Sequence, residues 1–122
     1  HDIIKEYTNA DIFIHPSIIS STGDKEGIPG SLVEAMASGL PTISTYHAGI
    51  PNAIEHNKNG MLIKEKDTSD LNKCISKVIN DKSFRTNIGI NARNFANSNL
   101  NYKNKTNDLE KIYRLAINKR KL

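Results

Sequence analysis

Three short apolar segments alternate with helical patterns along the chain, and this alternation constrains the fold more than any other feature. The segments span residues 11–15, 41–44 and 61–63, and none alternates regularly between apolar and polar positions. Such runs are typical of strands in a parallel sheet that is covered on both faces. Helices between successive strands imply right-handed crossovers. The sequence therefore predicts an α/β fold built on a partial, doubly wound parallel sheet.

Helical periodicity accounts for most of the remaining chain. The predicted helices span residues 3–8, 31–38, 52–56, 69–80, 81–97 and 100–118. Asp67 or Thr68 should cap the fourth helix, Gly39 has the position of a C-cap for the second, and Gly89 weakens the fifth. The residues expected on the inner sides of the last three helices are Leu71, Ile75, Val78 and Ile79, then Phe84, Ile88, Ala92 and Phe95, then Leu109, Ile112, Tyr113 and Leu115.

Composition limits the chain to one small domain. Its 122 residues are 37% apolar, which suffices for the core of a small α/β unit. The chain begins at His1 rather than Met, and residues 3–8 are predicted to be the end of a helix, so we expect residues 1–122 to be a single truncated domain of a larger protein. No apolar run approaches the roughly 18 residues of a membrane span.

Charge and cysteine content bear on the compartment. The formal charge of +4 is modest, and part of it lies at Lys119, Arg120 and Lys121, which form either a solvated helix end or a contact for an anionic surface. The one cysteine, Cys74, falls on the apolar side of a predicted helix and has no intrachain partner. A reducing cytoplasm is the simpler interpretation.

The loop after the first strand leads to a helix through residues 26–34, whose sequence is EGIPGSLVE. In open α/β sheets, ligands bind at the edge where the strands end. The unpaired N–H groups at a helix start suit a phosphate. Two carboxylates would repel a phosphate, so we interpret Glu26 and Glu34 as acceptors for sugar hydroxyl groups. A phosphate end and a hydroxyl end together indicate a nucleotide sugar.

Structural explanations compete with this interpretation. Ser31 and Glu34 have the spacing of a capping box, with Ser at the N-cap and Glu at N3. Glu26 would then be a solvated loop acid. His15 ends a strand at the ligand edge, and His47 lies in the loop after the second strand. Each histidine either packs against the scaffold or lines the site.

Other kinds of site are not indicated by the sequence. No cluster of histidine, cysteine and carboxylates has metal-ligand spacing, and no Walker loop is present. The aromatic residues do not form a platform for stacking bases. We therefore predict no metal ligands and no nucleic-acid partner.

The residues around this stretch resemble a known family. They are DIFIHPS (11–17), EGIPGSLVE (26–34), AMASGLPTIS (35–44), GIP (49–51) and NGMLI (59–63). The chain resembles the C-terminal, donor-binding part of a retaining GT-B glycosyltransferase of the group 1 (family 4) set, with a Glu-x7-Glu motif in its Glu-Gly-Ile-Pro variant. Bacterial enzymes of polysaccharide, capsule and lipopolysaccharide synthesis carry that variant. The likeness covers nearly the whole chain and implies a Rossmann-like domain.

The resemblance also implies a role for each motif residue. Glu26 would be the catalytic residue, in contact with the donor-sugar hydroxyls near the reacting centre. Glu34 would accept hydrogen bonds from the ribose hydroxyls, and Leu32 would pack near ribose or base. The donor sugar and the diphosphate would meet backbone amides, those of Gly27, Ile28, Gly30 and Ser31.

Cofactor and partners follow from the same resemblance. The donor would be a UDP- or GDP-sugar, with no cofactor and no obligatory metal. An N-terminal acceptor domain of the same parent chain would hold a saccharide or lipid-linked acceptor, and the cationic pair for the diphosphate would lie upstream as well. We expect the fragment alone to be inactive. The parent protein would be cytoplasmic, with peripheral contact at the inner face of the membrane.

Two functions remain open at this stage. The first is glycosyl transfer to a growing polysaccharide or lipopolysaccharide, with this chain binding the donor. The second is a non-catalytic Rossmann-like binding or assembly module with a vestigial donor site. The presence of both motif carboxylates favours the first.

Overall fold

The three predicted strands form one parallel sheet in the part of the chain that the computed structural model describes, residues 2–23 and 27–120. Ile43 of the central strand lies between Ile14 and Met61 of its neighbours. The strands, in their spatial order, are β1 (Phe13–His15), β2 (Thr42–Thr45) and β3 (Met61–Ile63). The predicted parallel α/β fold is confirmed.

Local capping fixes the ends of several helices. Asp67 accepts a hydrogen bond from the backbone N–H of Asp70 at 2.8 Å, which confirms it as an N-cap. Gly39 has a φ of +83°, a left-handed conformation that suits glycine at a helix end. The helices are α1 (Ile3–Asn9), α2 (Gly30–Ala37), α3 (Thr68–Asn80), α4 (Lys82–Asn99) and α5 (Tyr102–Arg120).

Two buried clusters cover the two faces of the sheet. On one face, α2 and the second half of α4 pack against the sheet through residues such as Met36, Leu62 and Ala92. On the other face, α3 packs against β2 and β3. Cys74 of α3 is 4% exposed in this second cluster, as predicted. Helices on both faces confirm the doubly wound arrangement.

The helix predicted at residues 52–56 is wrong. A 3-10 turn spans Ile50–Asn52 instead, and His56 forms an isolated parallel bridge with Gly60. The buried side chain of Asn59 explains the difference, because it accepts a hydrogen bond from the Glu55 N–H at 2.7 Å and donates to the Ala53 carbonyl at 3.0 Å. These bonds take the place of helical ones.

Two predicted inner faces are only partly correct. In α3, Val78 is fully buried whereas Ile79 is 57% exposed, because consecutive helical residues point about 100° apart. In α5, which mainly contacts the end of α4, all of the predicted inner residues are 46% to 65% exposed. Within the described ranges, no helix combines the length and apolar character needed to cross a membrane.

Gly89 has a packing role that the sequence did not reveal. It lies in the middle of α4, where a glycine costs helix stability. A Cβ atom at this position would collide with the carbonyl oxygen of Gly39, at the end of α2. The glycine therefore permits the close approach of α4 to the end of α2.

Candidate functional site

The loops that follow the three strands gather at one edge of the sheet, because parallel strands end on the same side. Residues 16–23 follow β1, residues 46–49 follow β2, and residues 64–67 follow β3. The N-terminus of α2 follows the first of these loops. The sequence predicts that the ligand binds at this edge.

Helix α2 begins one residue earlier than predicted. Pro29 has the N-cap position, without a side-chain hydrogen bond to cap the helix, and Ser31 is already the second helical residue. The capping-box alternative is therefore wrong. In the described part of the chain, Leu32 is the first residue of this helix whose N–H donates a hydrogen bond to a backbone carbonyl, that of Pro29, at 3.1 Å. The N–H groups of Gly30 and Ser31 precede it, in the part of a helix that suits an anion.

The motif glycines face open space. A Cβ atom at Gly27 or Gly30 would meet no atom of the described chain within 4 Å, and neither glycine has a positive φ. Both residues are exposed, and Ile28 between them is half-buried. Packing against the described residues therefore does not require glycine at either position. A group that approaches the backbone from outside would require it.

Glu34 presents an exposed carboxylate near this turn, and Tyr7 of α1 holds it. The Tyr7 hydroxyl donates to Glu34 Oε2 at 3.0 Å and lies 3.3 Å from the carbonyl oxygen of Ser31. The Tyr7 ring packs against Phe13 with 6.0 Å between centroids. Partial burial, together with the hydrogen bond to Glu34 and its charge, raises the pKa of Tyr7 above its ordinary value. One oxygen of the carboxylate is thus oriented by the scaffold.

Leu32 differs from its expected role. Its side chain is fully buried, in the cluster that contains Met36 and Leu62. A leucine at the third position of α2 points towards the sheet because the helix packs with that side inwards. In this structure Leu32 has no side-chain surface for a ribose or a base.

His15 is half-buried at the end of β1. Its Nδ1 lies 2.8 Å from the hydroxyl oxygen of Ser17, and its ring stacks on Phe13 with 6.2 Å between centroids. These contacts agree with the packing interpretation. Because the ring also keeps some exposure at the ligand edge, a role in lining the site stays a prediction.

His47 packs within the scaffold and does not line an open cleft, which decides between the two alternatives for this residue. Its side chain is 3% exposed, and its Nδ1 lies 2.8 Å from Glu65 Oε1. The other oxygen of Glu65 accepts a hydrogen bond from the N–H of Ile19 at 2.9 Å. The Ile19 N–H and the His47 contact lower the pKa of Glu65 below its ordinary value. The carboxylate therefore joins the loops that follow all three strands.

Further contacts fix these loops relative to the motif. The hydroxyls of Ser44 and Thr45 on β2 donate to the carbonyls of His15 and Ser17, each at 2.7 Å. On the other side of the site, a Cβ atom at Gly49 would lie 3.0 Å from the carbonyl carbon of Gly27. The loop after β2 therefore lies directly against the start of the motif turn.

Glu26, the predicted catalytic residue, lies outside the described residues. Its role stays a prediction. Among the residues that are described, no three histidine, cysteine or carboxylate side chains come together as a possible metal site. The expectation that the reaction needs no metal stays a prediction as well.

Sequence reasoning missed Tyr7 and Glu65. Tyr7 shares a helix face with Ile3 and Ile4, which suggested packing alone. Glu65 comes two residues after β3, at the edge where parallel strands end, and this position was a usable signal for a site residue. Both residues bond to groups that are distant in sequence, since Tyr7 is 27 residues from Glu34 and Glu65 is 46 residues from Ile19.

Sequence comparison identifies the family to which this parallel α/β fold belongs. The sequence model for "Glycosyl transferases group 1" matches residues 1–95, so the chain belongs to that family. The predicted resemblance is confirmed.

Two relatives are named for the biosynthesis of amylovoran and of colanic acid. The amylovoran biosynthesis glycosyltransferase AmsK of Erwinia amylovora is 54% identical over 69 residues, which are 56% of this chain and 17% of AmsK. The putative colanic acid biosynthesis glycosyltransferase WcaL of Salmonella typhimurium is 46% identical over 71 residues, 58% of this chain and 18% of WcaL. The matched region is thus less than a fifth of these relatives.

A solved structure supports the fold. The Anabaena protein HepE, crystallised in complex with UDP, superposes with a TM-score of 0.83 over 93% of this chain and 30% of HepE. The two sequences are 23% identical, so this likeness shows the fold alone.

Proposed function

We propose that the protein containing this chain is a retaining glycosyltransferase of polysaccharide or lipopolysaccharide synthesis, and that this chain forms part of its nucleotide-sugar donor site. Family membership supports glycosyl transfer, and the named relatives support a polysaccharide product. The observation that carries the donor assignment is an exposed, oriented carboxylate beside an open helix N-terminus, at Glu34 and Gly30.

The two halves of this arrangement suit the two polar parts of a nucleotide. A carboxylate is an acceptor without donors, so Glu34 is suited to the vicinal hydroxyls of a ribose. The amides of Gly30 and Ser31 carry the partial positive charge of a helix start, which suits a diphosphate. A relative of the same fold binds UDP, which agrees with this division.

The proposed reaction retains the anomeric configuration. The bond between the sugar C1 and the diphosphate oxygen breaks, the acceptor hydroxyl oxygen bonds to C1 on the same face, and its proton passes to the leaving diphosphate. This path needs no enzymic base. Glu26 would orient the sugar hydroxyls and stabilise developing positive charge at C1.

The assignment of Glu34 can be tested by nucleotide titration of the full-length protein. We expect UDP or GDP to bind, and Glu34→Ala to weaken binding about 10- to 150-fold, because a hydrogen bond to a charged group contributes about 1.5–3 kcal/mol. Glu55→Ala is the matched control, since this exposed carboxylate pairs with Lys58 away from the motif turn. No binding of either nucleotide at millimolar concentration would contradict the proposal.

A nucleotide without ribose hydroxyls sharpens the same experiment. The wild-type protein should bind the 2′,3′-dideoxy nucleotide more weakly than the ribonucleotide, and Glu34→Ala should bind both alike. Equal discrimination by the two proteins would show that Glu34 does not contact the ribose. A non-catalytic assembly module with a vestigial site would bind neither nucleotide.

The catalytic role of Glu26 is tested by measuring turnover. In the full-length enzyme, Glu26→Ala should reduce kcat strongly while the thermal unfolding midpoint stays close to that of the wild type. Unchanged turnover would remove Glu26 from the mechanism. This proposal also includes an N-terminal acceptor domain and a saccharide or lipid-linked acceptor. It places the protein in the cytoplasm, with peripheral contact at the membrane.

A further inference from the structure

Glu65 uses both of its carboxylate oxygens to hold other loops. Oε2 accepts the N–H of Ile19 at 2.9 Å, and Oε1 lies 2.8 Å from Nδ1 of His47. The Glu65 side chain is 22% exposed and that of His47 is 3% exposed. The contact with His47 is therefore partly shielded from water, whereas the hydrogen bond from Ile19 is exposed.

The two contacts lead to both flanks of the motif. Ile19 belongs to the loop after β1, which continues towards Glu26. On the other side, His47 belongs to the loop after β2, and Gly49 of that loop packs against the backbone of Gly27. One carboxylate is thus connected, directly or through one loop, to residues 19 and 27 on either side of Glu26.

The loop that contains His47 has a strained backbone. Ala48 has a φ of +46°, in the left-handed region that costs a residue with a Cβ atom about 1 kcal/mol. Such a conformation persists where the surroundings hold it. The Glu65 contact at His47 and the close packing of Gly49 hold it on both sides.

We propose that Glu65 is a positioning residue of the donor site, which sets the amides of Gly27 and Ile28 for the donor by holding the loops after β1 and β2 together. This inference rests on the proposed function. Glu65 itself contacts loops and no substrate. Its effect on binding would come from the position of the amides that contact the donor, because small displacements of such groups weaken binding.

The direct test compares Glu65→Ala with the control Glu55→Ala in the full-length protein. Hydrogen exchange by mass spectrometry, without ligand, measures the exchange rates of the loop amides in peptides that cover residues 16–23 and 46–50. Titration with UDP and GDP measures the nucleotide Kd of the donor site. We expect faster exchange in both peptides for Glu65→Ala and about a tenfold rise in the nucleotide Kd, the size of one hydrogen bond to a charged group. Glu55→Ala should match the wild type in both measurements.

A pair of His47 variants keeps the test valid if Glu65→Ala folds poorly. The amide nitrogen of Asn can take the place of Nδ1, whereas the longer Gln side chain places its nitrogen elsewhere. His47→Asn should therefore retain slow exchange at residues 16–23 and 46–50 and near wild-type nucleotide affinity. His47→Gln should lose both.

The outcomes separate this inference from the proposed function. If the wild-type protein binds neither nucleotide, the proposed function fails and the positioning role fails with it. If the wild type binds and Glu65→Ala exchanges faster with an unchanged Kd, the positioning role alone is wrong, because Glu65 then serves only the fold. Equal nucleotide affinity of His47→Asn and His47→Gln would overturn it too.

Discussion

The two ends of helix α2 use glycine in opposite ways. At its start, a Cβ atom on Gly30 would meet nothing of the described chain within 4 Å. At its end, a Cβ atom on Gly89 of α4 would collide with the carbonyl oxygen of Gly39. The chain itself requires one of these helical glycines and not the other. The difference separates a position that serves packing from a position that a ligand would use.

The largest effect is expected at the packed end. Gly89→Ala should lower the free energy of unfolding by about 1–3 kcal/mol, because overpacking forces α4 away from α2. Helix propensity alone predicts the opposite sign, a gain of about 1 kcal/mol. Denaturant unfolding decides between them, and a stabilised Gly89→Ala would show that the two helices separate at little cost.

The open end should give the reverse pattern. Gly30→Ala is expected to leave stability unchanged or to raise it by up to about 1 kcal/mol, since its backbone conformation suits alanine. Nucleotide affinity should fall about tenfold if a diphosphate approaches this backbone, the size of one lost charge-assisted hydrogen bond. Calorimetric titration beside a denaturant melt measures both. An unchanged Kd would mean that the open space is not the donor site.

A smaller effect is expected from Tyr7→Phe. The variant keeps the ring packing on Phe13 and removes only the hydroxyl that orients Glu34. One hydrogen bond at an exposed carboxylate contributes about 0.5–1.5 kcal/mol, so the nucleotide Kd should rise about two- to tenfold. In Glu34→Ala the same substitution should have no further effect. Additive losses in the double variant would show that Tyr7 acts independently of Glu34.

The smallest expected effect is on folding stability at low pH. Because the folded pKa of Glu65 lies below its unfolded value, the carboxylate stabilises the fold above the ordinary pKa of 4.5 and loses this contribution as pH falls through the folded pKa. His47 and Lys66 face the same carboxylate. Between pH 6 and pH 3, unfolding midpoints of the wild type should fall more steeply than those of Glu65→Gln. Parallel profiles would assign the acid sensitivity to other groups.

Local chemistry accounts for the parts of the fold that the sequence predicted. Strands β1 and β3 are short and mainly apolar, and the side chain of Asp67 accepts a hydrogen bond from the N–H of Asp70, three residues later. Features of this kind depend on neighbours within one helical turn, so a single sequence contains them. The false helix at residues 52–56 shows the limit, since the side chain of Asn59 determines that segment from outside it.

The candidate site was predicted in outline because the motif residues are contiguous. Its supporting contacts were not, because they join distant segments. Tyr7 reaches Glu34 across 27 residues, and Glu65 reaches His47 across 18. The burial of Leu32 and His47 likewise depends on how helices and loops pack on the sheet. The family resemblance placed Leu32 near the ligand, and the sequence left both alternatives open for His47.

The hydroxyl side chains of β2 also bear on how reliably the chain folds. In the native register, Ser44 and Thr45 place their hydroxyls on the carbonyls of His15 and Ser17. A slip of one residue would turn every side chain of this central strand to the opposite face. It would remove Ile43 from its cluster and put Thr42 or Ser44 in its place. The central strand therefore discriminates against misaligned pairing during assembly of the sheet.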